Sequence, residues 1–166
     1  MKLNLALILS IILAVGLVAF GFTFYQIASK KTKLNSELEM RVIQVADELS
    51  EGNILFYEKT SHGNIEHFLD SINSKYDLLG IVIYYNNDSI ISNASANGFI
   101  DQSLDYISQS IAADSAIGTF ISVKGKSIYQ YIKLVKREDV SNNAIIFYTD
   151  AEYIDNIISS IWLRNF

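Results

Sequence analysis

Residues 118–136 read GTFISVKGKSIYQYIKLVK. Side chains alternate in character on either side of Lys124-Gly125-Lys126, which is the period-two signature of two strands joined by a turn. In the second strand Tyr129, Tyr131 and Lys133 share one face, and Ile128, Gln130, Ile132 and Leu134 share the other. One face is therefore aromatic with a cation at its end, and the other is aliphatic around a single amide.

The same period recurs upstream. GIVIYY at 80–85 reads as a strand, NND as a tight turn, and SIISN at 89–93 as a returning strand. Downstream, the polar run REDVSNN reads as a turn before a last strand, AIIFYTD, at 144–150. Hairpin connections imply an antiparallel sheet of five strands with helices as its covering layer, an α+β class.

The helices follow from a different spacing. Ile65, Phe68, Leu69, Ile72 and Tyr76 recur with helical period before Gly80, which ends that segment. Ile100, Leu104, Ile107 and Ile111 mark a second helix over 100–113. Asp150 is a plausible N-cap for a closing helix over 151–166, whose apolar face is Tyr153, Ile154, Ile157, Ile158, Ile161 and Trp162.

Residues 5–25, LALILSIILAVGLVAFGFTFY, carry no charge. About 20 apolar residues in a helix span a bilayer's hydrocarbon core. The apolar region of a cleaved signal peptide is shorter, roughly 7–15 residues, and no clear small-x-small cleavage site follows before the aromatic FGFTFY. An uncleaved signal-anchor over 1–29 is the expectation. A membrane-proximal long helix over 30–60 follows, and then a domain over 61–166. In the long helix Leu38, Val42, Val45 and Leu49 form one stripe, with Met40, Ile43 and Ala46 as a second apolar flank. The stripe serves either as the seam of a homodimer or as a core-facing surface of the domain itself; two heptads do not decide between them.

Composition excludes several functions. The first 33 residues contain Lys2, Lys30, Lys31 and Lys33 and no acid, so in the remainder acids outnumber bases two to one. Such a surface repels phosphate backbones, and nucleic acid is not an expected partner. The chain has no cysteine, which removes thiolate metal sites and Cys nucleophiles. His62 and His67, with Glu66, fall short of the three or four converging ligands zinc needs. The acid pairs Glu138-Asp139 and Asp150/Glu152 sit at a turn and at a helix start, where backbone chemistry explains them. No phosphate loop, nucleophile elbow or HExxH occurs. The chain is expected to be no enzyme and to use no cofactor.

The order of elements, from the anchor at 5–25 through the GIVIYYNNDSIISN hairpin to the last three strands and their helix, resembles the extracytoplasmic PAS-like, single-Cache sensor domains of bacterial membrane signalling proteins. That resemblance implies a long helix packed along one face of the sheet, with the other face and its loops holding a small ligand. It also implies a closing helix leading toward a second crossing. Trp162, Arg164 and Phe166 fit an interfacial girdle at the threshold of that crossing. The amino-acid-binding version of the family carries an Arg, Trp, Tyr and Asp signature that this sequence lacks.

If the faces bearing Tyr84 and Tyr129 coincide, Tyr84, Tyr129 and Tyr131 form an aromatic wall with Lys133 as counter-charge for a small carboxylate. The plainer alternative is that tyrosines suit half-buried sheets and Lys133 lies exposed at an edge. The expected function is a sensor module in the cell membrane that binds a small ligand and relays a helix displacement to an output. The alternative is a single-pass envelope assembly component whose α/β domain docks another protein. The sensor reading places the body outside the cytoplasm, whereas three lysines after the span against one before it lean the other way.

Overall fold

The computed structural model describes residues 5–51, 62–84, 90–92, 94–102, 104–137 and 140–165. Helix α1 runs from Leu5 to Glu51 without interruption, 47 residues or about 70 Å. With no proline in the chain, nothing breaks it between the apolar stretch and the amphipathic one. Helix α2 (His62–Tyr76) follows, then strands β1 (Gly80–Tyr84) and β2 (Ile90–Ser92). Two short 3-10 segments, Ala94–Gly98 and Ile100–Gln102, precede helix α3 (Leu104–Ala113). Strands β3 (Ile117–Val123), β4 (Lys126–Arg137) and β5 (Val140–Asp150) lead to the closing helix α4 (Glu152–Asn165).

The five strands form one antiparallel sheet in the order β2-β1-β5-β4-β3. The β3–β4 hairpin turns on Lys124 and Gly125, both at positive φ (51° and 81°), between the paired residues Val123 and Lys126. Two central residues at positive φ match the strands' right-handed twist. β5 begins at Val140, four residues before the expected start, so the polar run before Ala144 lies largely within the sheet. A backbone ladder continues regardless of side-chain polarity, and here it carries SNN along a long hairpin.

Helix α2 ends at Asp77 rather than at Gly80. Asp77 takes the left-handed conformation (φ 54°), and the Leu78 N–H donates to the Asn73 carbonyl at 3.0 Å, closing a Schellman motif. Asp114 closes α3 the same way, at φ 49° with Ser115 donating to Ser110. Gly80 instead opens β1, where a Cβ would lie 2.7 Å from that of Ala96. Its job is to let the first 3-10 segment lie directly on the strand. At α4, the Asp150 carboxylate accepts from the Glu152 N–H at 2.7 Å, so the expected cap is in place. The segment expected as one helix over 100–113 divides into a 3-10 turn and α3.

The chain divides into two compact units, Leu38–Glu152 and a second made of Met1–Glu37 with Tyr153–Phe166. In the first, the buried core includes Leu69, Ile81, Ile83, Ile128, Ile132, Ile145, Ile146, Phe147 and Tyr148. In the second, α1 is the one described helix long and apolar enough to cross a membrane. Its apolar side chains from Leu7 to Tyr25 are mostly exposed, as a lipid-facing surface requires.

The stripe Leu38, Val42, Val45 and Leu49 is buried within this single chain, none of the four being more than 8% exposed. The core-facing alternative therefore accounts for it. Met40 on the second flank stays 65% exposed.

Candidate functional site

Directly paired residues in an antiparallel ladder point to the same side of the sheet. The pairs Ile81↔Phe147 and Phe147↔Tyr131 join one row, and Ile83↔Ile145 and Ile145↔Lys133 join the next. Tyr129↔Thr149 and Phe120↔Tyr129 complete that face toward β3. The opposite face holds the rows Tyr84–Ala144–Leu134, Val82–Ile146–Ile132 and Gly80–Tyr148–Gln130. Tyr129, Tyr131 and Lys133 thus stand together as expected, and Tyr84 stands behind them. The condition on which the four-residue wall depended is not met.

The Tyr131 face belongs to α1. Lys133 Nζ meets Asp47 Oδ1 at 2.5 Å, which places its ammonium on the helix rather than in an open pocket. Next to it α1 is tied to α2, where Arg41 donates to the Tyr76 carbonyl and the Tyr76 hydroxyl donates to Glu48 at 2.7 Å. Lys75 donates to that hydroxyl at 2.8 Å, and the bond holds its ammonium above the usual lysine range. Tyr129 is 2% exposed, its ring tilted against Phe120 at 4.9 Å. Its hydroxyl occupies the space a Cβ would take at Gly118 and has no hydrogen-bond partner among the described residues. Burial first, then the nearby Glu39 and Tyr131, raise its phenol well above the ordinary tyrosine range; Tyr131 is raised by burial, Asp47 and Glu39.

The Tyr84 face is covered by short elements instead. Val82, Ile132, Ala144, Ile146 and Tyr148 form a buried cluster with Ala96 and with Ile107 of α3. Half-buried Tyr84, Phe99, Tyr106 and Leu134 pack around it. Phe99 lies against Tyr148, ring centroids 5.1 Å apart. Gln130 is fully buried within this face. One row is different from the rest: at its centre Ala144 is fully buried, and Tyr84 and Leu134 on either side of it are only partly covered. Ala144, the small residue of the row, lies between these two larger side chains, which both pack on the buried cluster.

Sequence reasoning did not single out Ala144, Tyr148 or Asp47. Ala144 is legible afterwards as the one small residue in AIIFY, whereas Asp47 looks like any polar position on a helix. Of the residues expected at a membrane surface, Trp162 packs on Phe20 of the apolar stretch, centroids 6.1 Å apart. Arg164 lines a groove with α1 residues, and Phe166 lies outside the described residues, as do Glu138 and Asp139. His67 and Glu66 are both exposed on α2.

No family model and no curated protein matches the sequence. Solved structures do match the fold. The ligand-binding domain of the Campylobacter jejuni chemoreceptor Tlp3, in complex with L-norvaline, superposes with a TM-score of 0.59 at 11% identity, covering 82% of this chain and 59% of that one. That of the Pseudomonas aeruginosa PAO1 amino acid chemoreceptor PctC, in complex with GABA, gives 0.60 at 16% identity, covering 79% and 61%. The ligand-binding domain of Mlp24 with asparagine gives 0.59 at 15%, covering 84% and 60%. The chain spans about three fifths of the length of these domains. A long N-terminal apolar helix followed by a five-stranded antiparallel PAS-like sheet is thus the fold this chain shares with chemoreceptor ligand-binding domains.

Proposed function

We propose that this chain is a membrane-anchored sensor module, its body outside the cytoplasm, that binds a small ligand on the Tyr84 face. The observation that carries this is the difference in cover. The Tyr131 face is taken up by α1, while the Tyr84 face is closed by 3-10 turns and α3 around the partly covered Tyr84–Ala144–Leu134 row. Short elements with little surface of their own can move apart for a ligand at small cost. The fold is shared with domains solved with L-norvaline, GABA and asparagine, which supports a small-molecule ligand; amino acids are the first class to test, their signature being absent from this sequence.

On this reading Tyr84 supplies the polar contact and Leu134 an apolar wall, with Gln130 two rows further along the sheet. Lys133, first considered as a ligand counter-charge, acts as the link between sheet and helix. A ligand that draws α3 inward shifts β4, and the Lys133–Asp47 pair carries that shift to α1. Only different ligand affinities for the two arrangements can drive such a change.

The docking alternative gains no support. Outside the anchor, the exposed large apolar residues among those described are Met40 on α1, Ile90 on β2, Leu104 on α3, Phe120 on β3, and Tyr153 and Leu163 on α4; β2 and β3 are opposite edges of the sheet. Within the sheet domain the described ones are spread over four separate elements, whereas a docking surface calls for one contiguous patch.

The test is a thermal-shift screen of the full chain in detergent against amino acids, small carboxylates and sugars, with Tyr84→Ala and Tyr131→Ala alongside. A hit that Tyr84→Ala abolishes and Tyr131→Ala retains supports the assignment. A hit with the reverse dependence contradicts it.

A further inference from the structure

We propose that α1 and α4 together form a site for the phosphate of an anionic phospholipid headgroup, at the end of the apolar stretch 5–25. Between these helices lies a groove of about 450 Å³. Lys30 and Lys33 of α1 and Arg164 of α4 all line it, so three cations from two helices converge on one space. Ser29 and Gln26 add a hydroxyl and an amide to the same wall. A phosphate accepts hydrogen bonds from all five of these groups, and charge-assisted bonds are the strong ones.

The local charge is one-sided. No acid occurs in the first 36 residues. The first, Glu37, pairs with Lys33 at 3.7 Å, and both side chains are more than half exposed. An exposed pair of that kind is worth little and yields to a phosphate that meets three cations at once.

Position distinguishes a lipid from a soluble anion. Tyr25 both closes the apolar stretch and lines the groove, with Ile161 as a second apolar contact. Trp162, two residues before Arg164, packs on Phe20 inside the stretch. The cations therefore begin where the lipid-facing surface ends, which is the depth of the headgroup phosphates. Acyl chains attached to that phosphate would continue along 5–25. Bound there, one lipid holds α4 to α1 at the membrane surface. This inference rests on α1 as the anchor and is independent of the ligand on the sheet.

Trp162 is the chain's single tryptophan and reports from beside the site. The full chain is reconstituted in phosphatidylcholine nanodiscs carrying increasing phosphatidylglycerol, and Trp162 emission is followed. The expected result is a saturable change in emission. Lys30→Gln, Lys33→Gln and Arg164→Gln each raise the half-saturating phosphatidylglycerol fraction by about fivefold, the worth of one cation near an anionic surface. Lys31→Gln, turned about 100° from Lys30 on the helix, leaves it within about twofold, and Arg164→Lys restores most of the Arg164→Gln loss. If Lys31→Gln weakens the response as much as the other three, only a diffuse surface potential is present and the site is refuted. Inorganic phosphate reproducing the change in pure phosphatidylcholine discs refutes the lipid assignment. An unchanged emission, or a chain that fails to enter the discs, overturns the proposal as well.

Discussion

On one side of the sheet a single long helix lies over Tyr131 and Lys133; on the other, 3-10 turns and α3 cover Val82, Ile146 and Tyr148. The strands are the same, and both faces are buried, yet the two covers differ in kind. A helix of 47 residues cannot shift at one point without moving along its length, whereas two 3-10 segments and a ten-residue helix can. On the proposed function, the stiff face transmits and the divided face admits a ligand. Proteins draw their moving parts from elements with few buried contacts.

The largest effect is expected at the sheet's centre. Phe147, fully buried in the α1-side layer, is expected to cost about 3–5 kcal/mol on truncation to Ala, measured by urea unfolding of the full chain in detergent. Gly80→Ala attacks the divided face alone. The new Cβ meets Ala96 backbone and side-chain carbon, so a loss of about 1–3 kcal/mol is expected, with faster amide exchange confined to 94–102.

Smaller effects sharpen the picture. A double-mutant cycle of Lys133→Ala with Asp47→Ala should give a coupling of about 0.5–1 kcal/mol, since the pair is partly solvent-exposed (23% and 54%). Asp77→Gly relieves a left-handed non-glycine residue and should stabilise by up to about 1 kcal/mol.

pH probes the same face. Tyr129 has its phenol raised in the folded state, so the unfolded chain loses that proton first. Stability is therefore full below the ordinary tyrosine value near 10 and is lost as pH rises through it. Tyr129→Phe should reduce the steepness of that alkaline loss by about one proton, read from urea midpoints between roughly pH 9 and 11. An unchanged slope would place the Tyr129 hydroxyl in water, not buried over Gly118.

Much of this architecture was legible residue by residue. The alternation in GTFISVKGKSIYQYIKLVK placed Tyr129, Tyr131 and Lys133 together, and the apolar run at 5–25 marked the membrane-length helix. The relation of Tyr84 to them was not legible, because it depends on the register of β5 between β1 and β4. The pairing of Phe147 with both Ile81 and Tyr131 brings odd-numbered residues of those three strands to one face and sends Tyr84 to the other. Period alone gives each strand's two faces and never which faces meet. The stripe at Leu38, Val42, Val45 and Leu49 has a related ambiguity: an apolar helix face looks the same whether it meets its own sheet or a second copy. In the polar run the turn lies between Arg137 and Val140, and only 140–143 misled, because a hairpin ladder needs only backbone.

On the proposed function a ligand meets the Tyr84 face and not the Tyr131 face. Hydrogen–deuterium exchange of the full chain in detergent, with and without saturating L-norvaline, asparagine or GABA, reads both faces at once. Added protection in 94–113 and around Tyr84, with the α1 segment 38–49 changing only secondarily, is the predicted result. Protection confined to 38–49, or none with any of the three, would contradict it.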